Sequence, residues 1–323
     1  MKSGFFTRLI QVQTQIEFQP SKCVEFMFWV RSVISKSWSS KFDYQRFLRI
    51  NRLPNSPLNA DNNPPPIDLL LVTKSEDINL LKTVIEHAIK NCMNRISKII
   101  IVVPSIEVKR VKKETSKLAT EVNIEVRDEE VVIPKKIRDK LRVEFPILYG
   151  WVLAQFLKIW TVADSDSQGV LVLDADTILL SPRVYLSTED RQVLMPSNEY
   201  HQPYYNFLHN YGSYFGDLQD SFISHHMLMQ PKYAREALEV WKNSIDLMAD
   251  SVCENYDKFE KNPFCVCFEV YAQYMVHRHN DKILLAKWGN LSVKRPDDFG
   301  ISLKDITTYY SGKFHSISMH SWL

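Results

Sequence analysis

The sequence predicts an α/β protein, with a mostly parallel sheet flanked by helices. Three observations carry that expectation. Apolar runs of strand length recur as continuous blocks, as strands covered on both faces do, and not as an alternation. Between them lie segments whose apolar residues fall three and four apart, the spacing of amphipathic helices. Polar residues then gather just past the ends of the apolar blocks, where open α/β sheets bind ligands.

The regular part begins after Asp61-Asn-Asn-Pro-Pro-Pro66, a run that can neither continue a helix nor donate to a ladder. Residues 61–66 therefore read as a linker between an N-terminal helical extension, 1–60, and a domain at 67–323. Ile67 to Thr73 reads as a buried strand, and Thr73-Lys-Ser-Glu76 as a capping box opening a helix. Ile78, Leu81, Ile85 and Ala88 keep helical spacing to about Asn91. Lys98 to Val103, closed by Pro104, is a second strand. Val122 to Val126 is a third and runs into Asp128, Glu129 and Glu130. A helix over Pro146 to Ala163 precedes a fourth strand, Val170 to Leu173. In the second half, Leu194 to Gln219 reads as a loop region and Ser221 to Met229 as a strand. Pro231 opens a helix to about Met248, and Phe268 to His277 forms another.

Composition narrows the function. The chain has 323 residues, 45% hydrophobic and 24% charged, as soluble globular proteins have. With only 8 glycines, and neither G-x-G-x-x-G nor G-x-x-x-x-G-K-[ST], a standard dinucleotide site or P-loop is not expected. The net charge of +2 gives no sign of a nucleic-acid partner. The five cysteines, Cys23, Cys92, Cys253, Cys265 and Cys267, are odd in number and scattered. With no signal peptide evident, they suggest a reducing, cytoplasmic setting. Cys265 and Cys267 with His225 and His226 could be drawn as a zinc site, but the spacing suits small buried side chains better. Through Arg52 nine basic residues face three acidic ones, which makes that arm +6 and the remainder −4. The arm also holds Phe5, Phe6, Phe26, Phe28, Trp29, Trp38 and Phe47. A basic, aromatic segment either packs on the domain or meets an anionic membrane surface peripherally; Glu25 and Arg31 prevent it from spanning one.

The chemistry concentrates in Gly169-Val-Leu-Val-Leu-Asp-Ala-Asp-Thr-Ile-Leu-Leu180. At strand spacing Asp174 and Asp176 share a side. Two carboxylates in an apolar run repel unless a cation lies between them or one holds a proton, so the pair asks for a metal or for proton transfer. Two machines use this spelling. One is metal-dependent sugar transfer. The other is a haloacid-dehalogenase-type phosphatase, with Asp174 as nucleophile and Lys294, Asp297 and Asp298 completing the site. Three strands and two helices precede the motif here, and Lys294 lies in a proline-broken frame, so the first suits the context better.

Residues 67–323 resemble the GT-A fold of glycosyltransferases and, more closely, an uncharacterised, mainly bacterial family of transferase-like proteins. Four stretches carry the resemblance: Tyr149 to Lys158, Val170 to Pro182, Ser221 to Met229 and Phe268 to Tyr271. The resemblance implies a nucleotide-sugar-binding half at 67–182 and an acceptor half at 183–323. It implies a sugar passing from a nucleotide-sugar donor to a hydroxyl of a saccharide or lipid-linked acceptor, in cell-surface polysaccharide or glycolipid synthesis. A relative that binds nucleotide or sugar without turnover is the alternative. Asp174 and Asp176 would hold Mn²⁺ or Mg²⁺ and the diphosphate. A histidine near the C-terminus would add a ligand: His315 and His320 face opposite sides, and His315 is expected because more chain follows to tie it down. Thr73 and Lys74 would seat base and ribose, with Asp128 accepting from either.

Further roles follow from residue chemistry. Trp151, Gln155 and Lys158 share one face of their helix, from which Lys158 could meet a phosphate and Gln155 a sugar hydroxyl; a solvated stripe is the plainer reading. Glu269, in the first turn of a helix, could be the general base of an inverting transfer, or simply favour the helix dipole. One of His225 and His226 is expected to face substrate and the other the core.

Overall fold

The computed structural model describes residues 48–58, 63–197, 201–216, 220–258, 261, 264–294 and 303–320. Most of the N-terminal arm, and with it any membrane contact, lies outside the described residues. The strands in chain order are β1 (Ile67–Val72), β2 (Ile96–Val103), β3 (Asn123–Asp128), β4 (Val170–Asp174), β5 (Thr177–Leu179), β6 (Gln192–Leu194), β7 (His226–Met229), β8 (Ile283–Leu285), β9 (Asn290–Lys294) and β10 (Ser316–His320). The main helices are α1 (Leu81–Asn91), α2 (Val108–Thr115), α3 (Lys135–Glu144), α4 (Tyr149–Ala163), α5 (Gln202–His209), α6 (Pro231–Leu238), α7 (Ile245–Lys258), α8 (Phe268–Arg278) and α9 (Leu303–Tyr310).

The central sheet has the order β3-β2-β1-β4-β7. Its first four strands are parallel and β7 closes one edge antiparallel to β4. This is the predicted mostly parallel α/β sheet. β1, β4 and most of β2 are apolar because both faces are covered, whereas the edge strand β3 alternates and carries Glu125 and Arg127. Leu70, Ile100, Val102, Val170 and Val172 point into the core that contains Phe156 of α4, Ala234 of α6 and Tyr271 of α8. Leu69, Leu71, Ile99, Ile101, Leu171 and Leu173 point into the core built on Leu81, Val84 and Ile85 of α1.

Several local expectations are corrected. The segment after β1 opens with a 3-10 turn, Ser75–Leu80, and its N-cap residue Lys74 makes no side-chain cap bond. The Thr73 hydroxyl donates instead to the Lys74 carbonyl, 3.2 Å away, so no capping box forms. The long helix expected from Pro231 breaks at Lys242 and Asn243, both left-handed at φ +53° and +51°, and restarts at Ile245. The strand expected from Ser221 begins only at His226, because His225 is itself left-handed at φ +58°.

Residues 48–58 pack on the domain although the proline run follows them. Ile50 is 2% exposed. The Pro54 carbonyl accepts from Lys287 N at 2.9 Å, and the buried Arg183 donates to the Asn55 carbonyl at 2.9 Å. Arg49 is ion-paired with Asp220. Among the described residues no helix is long and apolar enough to cross a membrane.

A second, three-stranded sheet runs β5-β10-β9, with β10 antiparallel to β5 and parallel to β9. Its ladder brings the end of the chain back to the residues that follow β4: Ser318 pairs with Thr177, and Met319 N donates to the Asp176 carbonyl at 2.9 Å.

Candidate active site

The site forms where the sheet changes direction. From β1 the chain steps outward through β2 to β3, then returns to place β4 on the other side of β1. The crevice between β1 and β4, at their carboxyl ends, is the topological switch point of such a sheet. There Val72 is in register with Asp174, and Thr73 and Lys74 follow β1. Asp176 lies in the turn between β4 and β5.

Asp174 ends β4 with its side chain 21% exposed. One carboxylate oxygen is paired with the Lys158 ammonium, which reaches over from α4. The other accepts from His225 Nδ1 at 3.1 Å. A carboxylate can only accept, so that nitrogen carries the proton. Burial alone would raise the Asp174 pKa. The Lys158 charge and the His225 contacts outweigh it and hold the carboxyl well below the usual carboxylate range. Lys158 shows the reciprocal effect: burial would lower its pKa, and Asp174 keeps it raised. The ammonium also lies over the Phe268 ring, 5.0 Å from its centroid. The His225 ring stacks on Trp288 at 5.8 Å and lies 5.0 Å from the His320 ring.

His320, at the end of β10, places Nδ1 3.4 Å from Asp176 Oδ2. The expected ligand set of Asp174, Asp176 and His315 is thus not the one brought together. His315 faces away. Its Nδ1 meets the Ser181 hydroxyl at 2.5 Å and its ring lies against Gly289, where an added Cβ would come within 3.0 Å of it. Burial, with the Arg183 and Lys287 charges, pushes its pKa down to about 3. His315 precedes β10, and the ladder of that strand with β5 brings His320 to Asp176 instead.

A divalent ion fits part of this arrangement. One carboxylate and one imidazole, 3.4 Å apart, are spaced as adjacent ligands at about 2.1–2.3 Å from one ion would be. Among the described residues no group of three or more His, Cys, Asp or Glu is placed to hold a metal. Cys265 and Cys267 are buried free thiols, with burial lifting Cys265 to about 11.

Two other expected site residues are structural. Glu269 is 0% exposed. It accepts from Ser221 Oγ and Phe222 N at 2.8 Å and from Gln273 Nε2 at 2.9 Å. A general base must face the acceptor, so the geometry removes Glu269 from that role. Gln155 is 5% exposed, and its carbonyl oxygen accepts from Val266 N at 2.7 Å. The polar stripe fails because the stretch before α8 closes over Gln155 through Val266, which leaves Trp151 exposed and Gln155 in the core.

The remaining residues lie at the carboxyl edge. Thr73 is buried, while Lys74 is exposed and ion-paired with Glu76 at 2.7 Å. Asp128 caps the turn Glu129–Val132 through Glu130 N at 2.9 Å and accepts from Ser105 Oγ at 2.8 Å. His226 is fully buried and, with its pKa pushed far down by burial, is the neutral core member of the histidine pair. Of the phosphatase residues, Asp297 and Asp298 lie outside the described residues, and Asp174 has both oxygens engaged. A cavity of about 380 Å³ lies at the opposite edge of the sheet, between Ser165, Lys232 and Arg235, away from the aspartates. Trp288 was missed by sequence reasoning, and an isolated tryptophan in an irregular stretch offers no signal for it.

Fold and site together define an α/β protein with an acidic and cationic crevice at the switch point of its sheet. The chain belongs to a family of unknown function, DUF6492, whose family model matches residues 71–247. No curated protein matches the sequence. Among solved structures, it is similar to the apo form of mouse xyloside xylosyltransferase 1, at 11% identity and a TM-score of 0.45. That likeness covers 79% of this chain and 98% of the other.

Proposed function

We propose that the protein is a glycosyltransferase that moves a sugar from a nucleotide-sugar donor to a hydroxyl acceptor. The observation that carries the reading is the position of Asp174-Ala-Asp176 at the carboxyl end of β4, in the switch-point crevice beside Thr73. An open α/β sheet binds its nucleotide there, and the resemblance of Val170 to Pro182 to the GT-A motif concerns those same residues. The nucleoside extends over the ends of β1 to β3, where Lys74 and Asp128 offer a cation and an acceptor. Asp176 and His320 would hold Mn²⁺ or Mg²⁺ together with phosphate oxygens. Bound there, the ion supplies charge neutralisation for the departing diphosphate. Lys158 offsets the charge of Asp174, so that Asp176 is the carboxylate the ion would have to neutralise.

The test is thermal stability with UDP, GDP, CDP and CMP, each with and without Mn²⁺. A ligand at about a hundred times its dissociation constant adds about 2.7 kcal/mol, a readable shift. A Mn²⁺-dependent shift with one diphosphate, absent in Asp176→Asn, is the expected result. No shift with any nucleotide, and one with beryllofluoride and Mg²⁺ instead, would replace this reading with a phosphatase.

A further inference from the structure

We infer that Asp174 is a positioning residue that brackets Lys158 and His225, and that of the two aspartates only Asp176 faces a divalent ion or a diphosphate. This rests on the reading of the site given above. A carboxylate has two oxygens, and in Asp174 each is engaged by a separate element: one by Lys158 from α4, the other by His225 from the approach to β7. A third tie runs through the backbone, where Asp174 N donates to the His225 carbonyl at 2.9 Å.

The ammonium of Lys158 has little to replace Asp174 with. Its side chain is 12% exposed, it lies over the Phe268 ring near the Cys267 and Cys265 thiols, and among the described residues Asp174 is its one ion-paired carboxylate. An ion that bound Asp174 would evict Lys158 and leave a buried ammonium beside a doubly positive charge, which the low local dielectric penalises heavily. His320 beside Asp176 makes a contrasting neighbour, since a neutral imidazole is itself a ligand. The bracket also accounts for His225: a non-glycine residue at φ +58° persists where its surroundings over-determine it, and here both its carbonyl and its ring are tied to Asp174.

Two measurements on the full chain test this. The first is Mn²⁺ binding followed by electron paramagnetic resonance, with and without UDP. Asp176→Asn should weaken binding by about tenfold or more, whereas the charge-balanced double variant Asp174→Asn/Lys158→Met should stay within about threefold of wild type. Equal losses in the two proteins overturn the inference. The second is a double-mutant cycle in melting temperature, which needs neither metal nor activity. Each single variant should lose several degrees by stranding its partner, and the double should recover most of the loss; additive losses overturn the bracket. If wild type binds no Mn²⁺ under any condition, the metal reading of the site falls, and the cycle alone then decides the role of Asp174.

Discussion

His320 lies against Asp176 because the last described strand, β10, runs antiparallel to β5, the strand that follows the D-x-D turn. The same ladder ties Met319 N to the Asp176 carbonyl, so the carboxylate and the imidazole are set by one piece of backbone. His315, just before that strand, is set against Ser181 instead.

These two histidines should therefore part in a binding experiment. His320→Ala is expected to weaken Mn²⁺-dependent nucleotide binding by about tenfold or more, the scale of losing a ligand or its orienting partner. His315→Ala should leave that affinity nearly unchanged while lowering stability. Calorimetric titration of the two variants checks it, and equal losses of affinity would contradict the geometry.

Glu269→Gln should act on the fold. Its carboxylate accepts three hydrogen bonds, one from the Phe222 backbone, and an amide nitrogen turned toward those donors leaves one unsatisfied. The expected cost is about 1–3 kcal/mol in urea unfolding. Donor binding should survive wherever the variant is folded. A variant of wild-type stability that has lost transfer would restore Glu269 as a catalytic group.

The buried histidines give stability a defined dependence on pH. His226 and His315 have pKa values held below the unfolded value, His315 at about 3, by burial foremost. Their contribution is complete above the unfolded pKa, about 6.5, and is lost as pH falls toward the folded value, because the unfolded chain then binds protons that the native one refuses. The slope is about 1.4 kcal/mol per pH unit for each histidine at most. Asp174, with its lowered pKa, adds an acid-side loss only below about pH 4. Urea midpoints at about pH 7, 6 and 5 should fall in that order. His315→Asn should flatten the trend.

Ile50 tests whether the segment before the proline run belongs to the domain. At 2% exposure its truncation in Ile50→Ala should cost about 2–5 kcal/mol. A change within about 0.5 kcal/mol, the range of surface substitutions, would make residues 48–58 a dispensable strap.

Sequence reasoning reached furthest where a periodic pattern and its physical cause lie in the same segment. The strands at Ile67, Lys98 and Val170 are apolar because both sheet faces are covered, and that shows in any window of six residues. It also placed Thr73, Asp128 and Asp174 at one edge, since continuous apolar strands imply a parallel sheet whose carboxyl ends share a side. It failed where neighbours distant in the chain decide. Gln155 and Lys158 share a face of α4, yet Val266 covers the first while the second reaches Asp174, and helical spacing cannot separate those outcomes. Glu269 reads equally well as a base or as a helix-opening residue until Ser221, Phe222 and Gln273 close around it.

The sequence by itself determined the layered α/β class, the order of the first four strands, and the presence of two carboxylates at a strand end that must be compensated. Each is a local consequence of periodicity or of the cost of burying charge. Only the tertiary structure decided which partner compensates which carboxylate, Lys158 and His225 for Asp174 and His320 for Asp176. Those pairings depend on ladder register and chain reversal, which bring together residues from α4, the approach to β7 and the last strand, and no local pattern encodes a distance between segments so far apart in the chain.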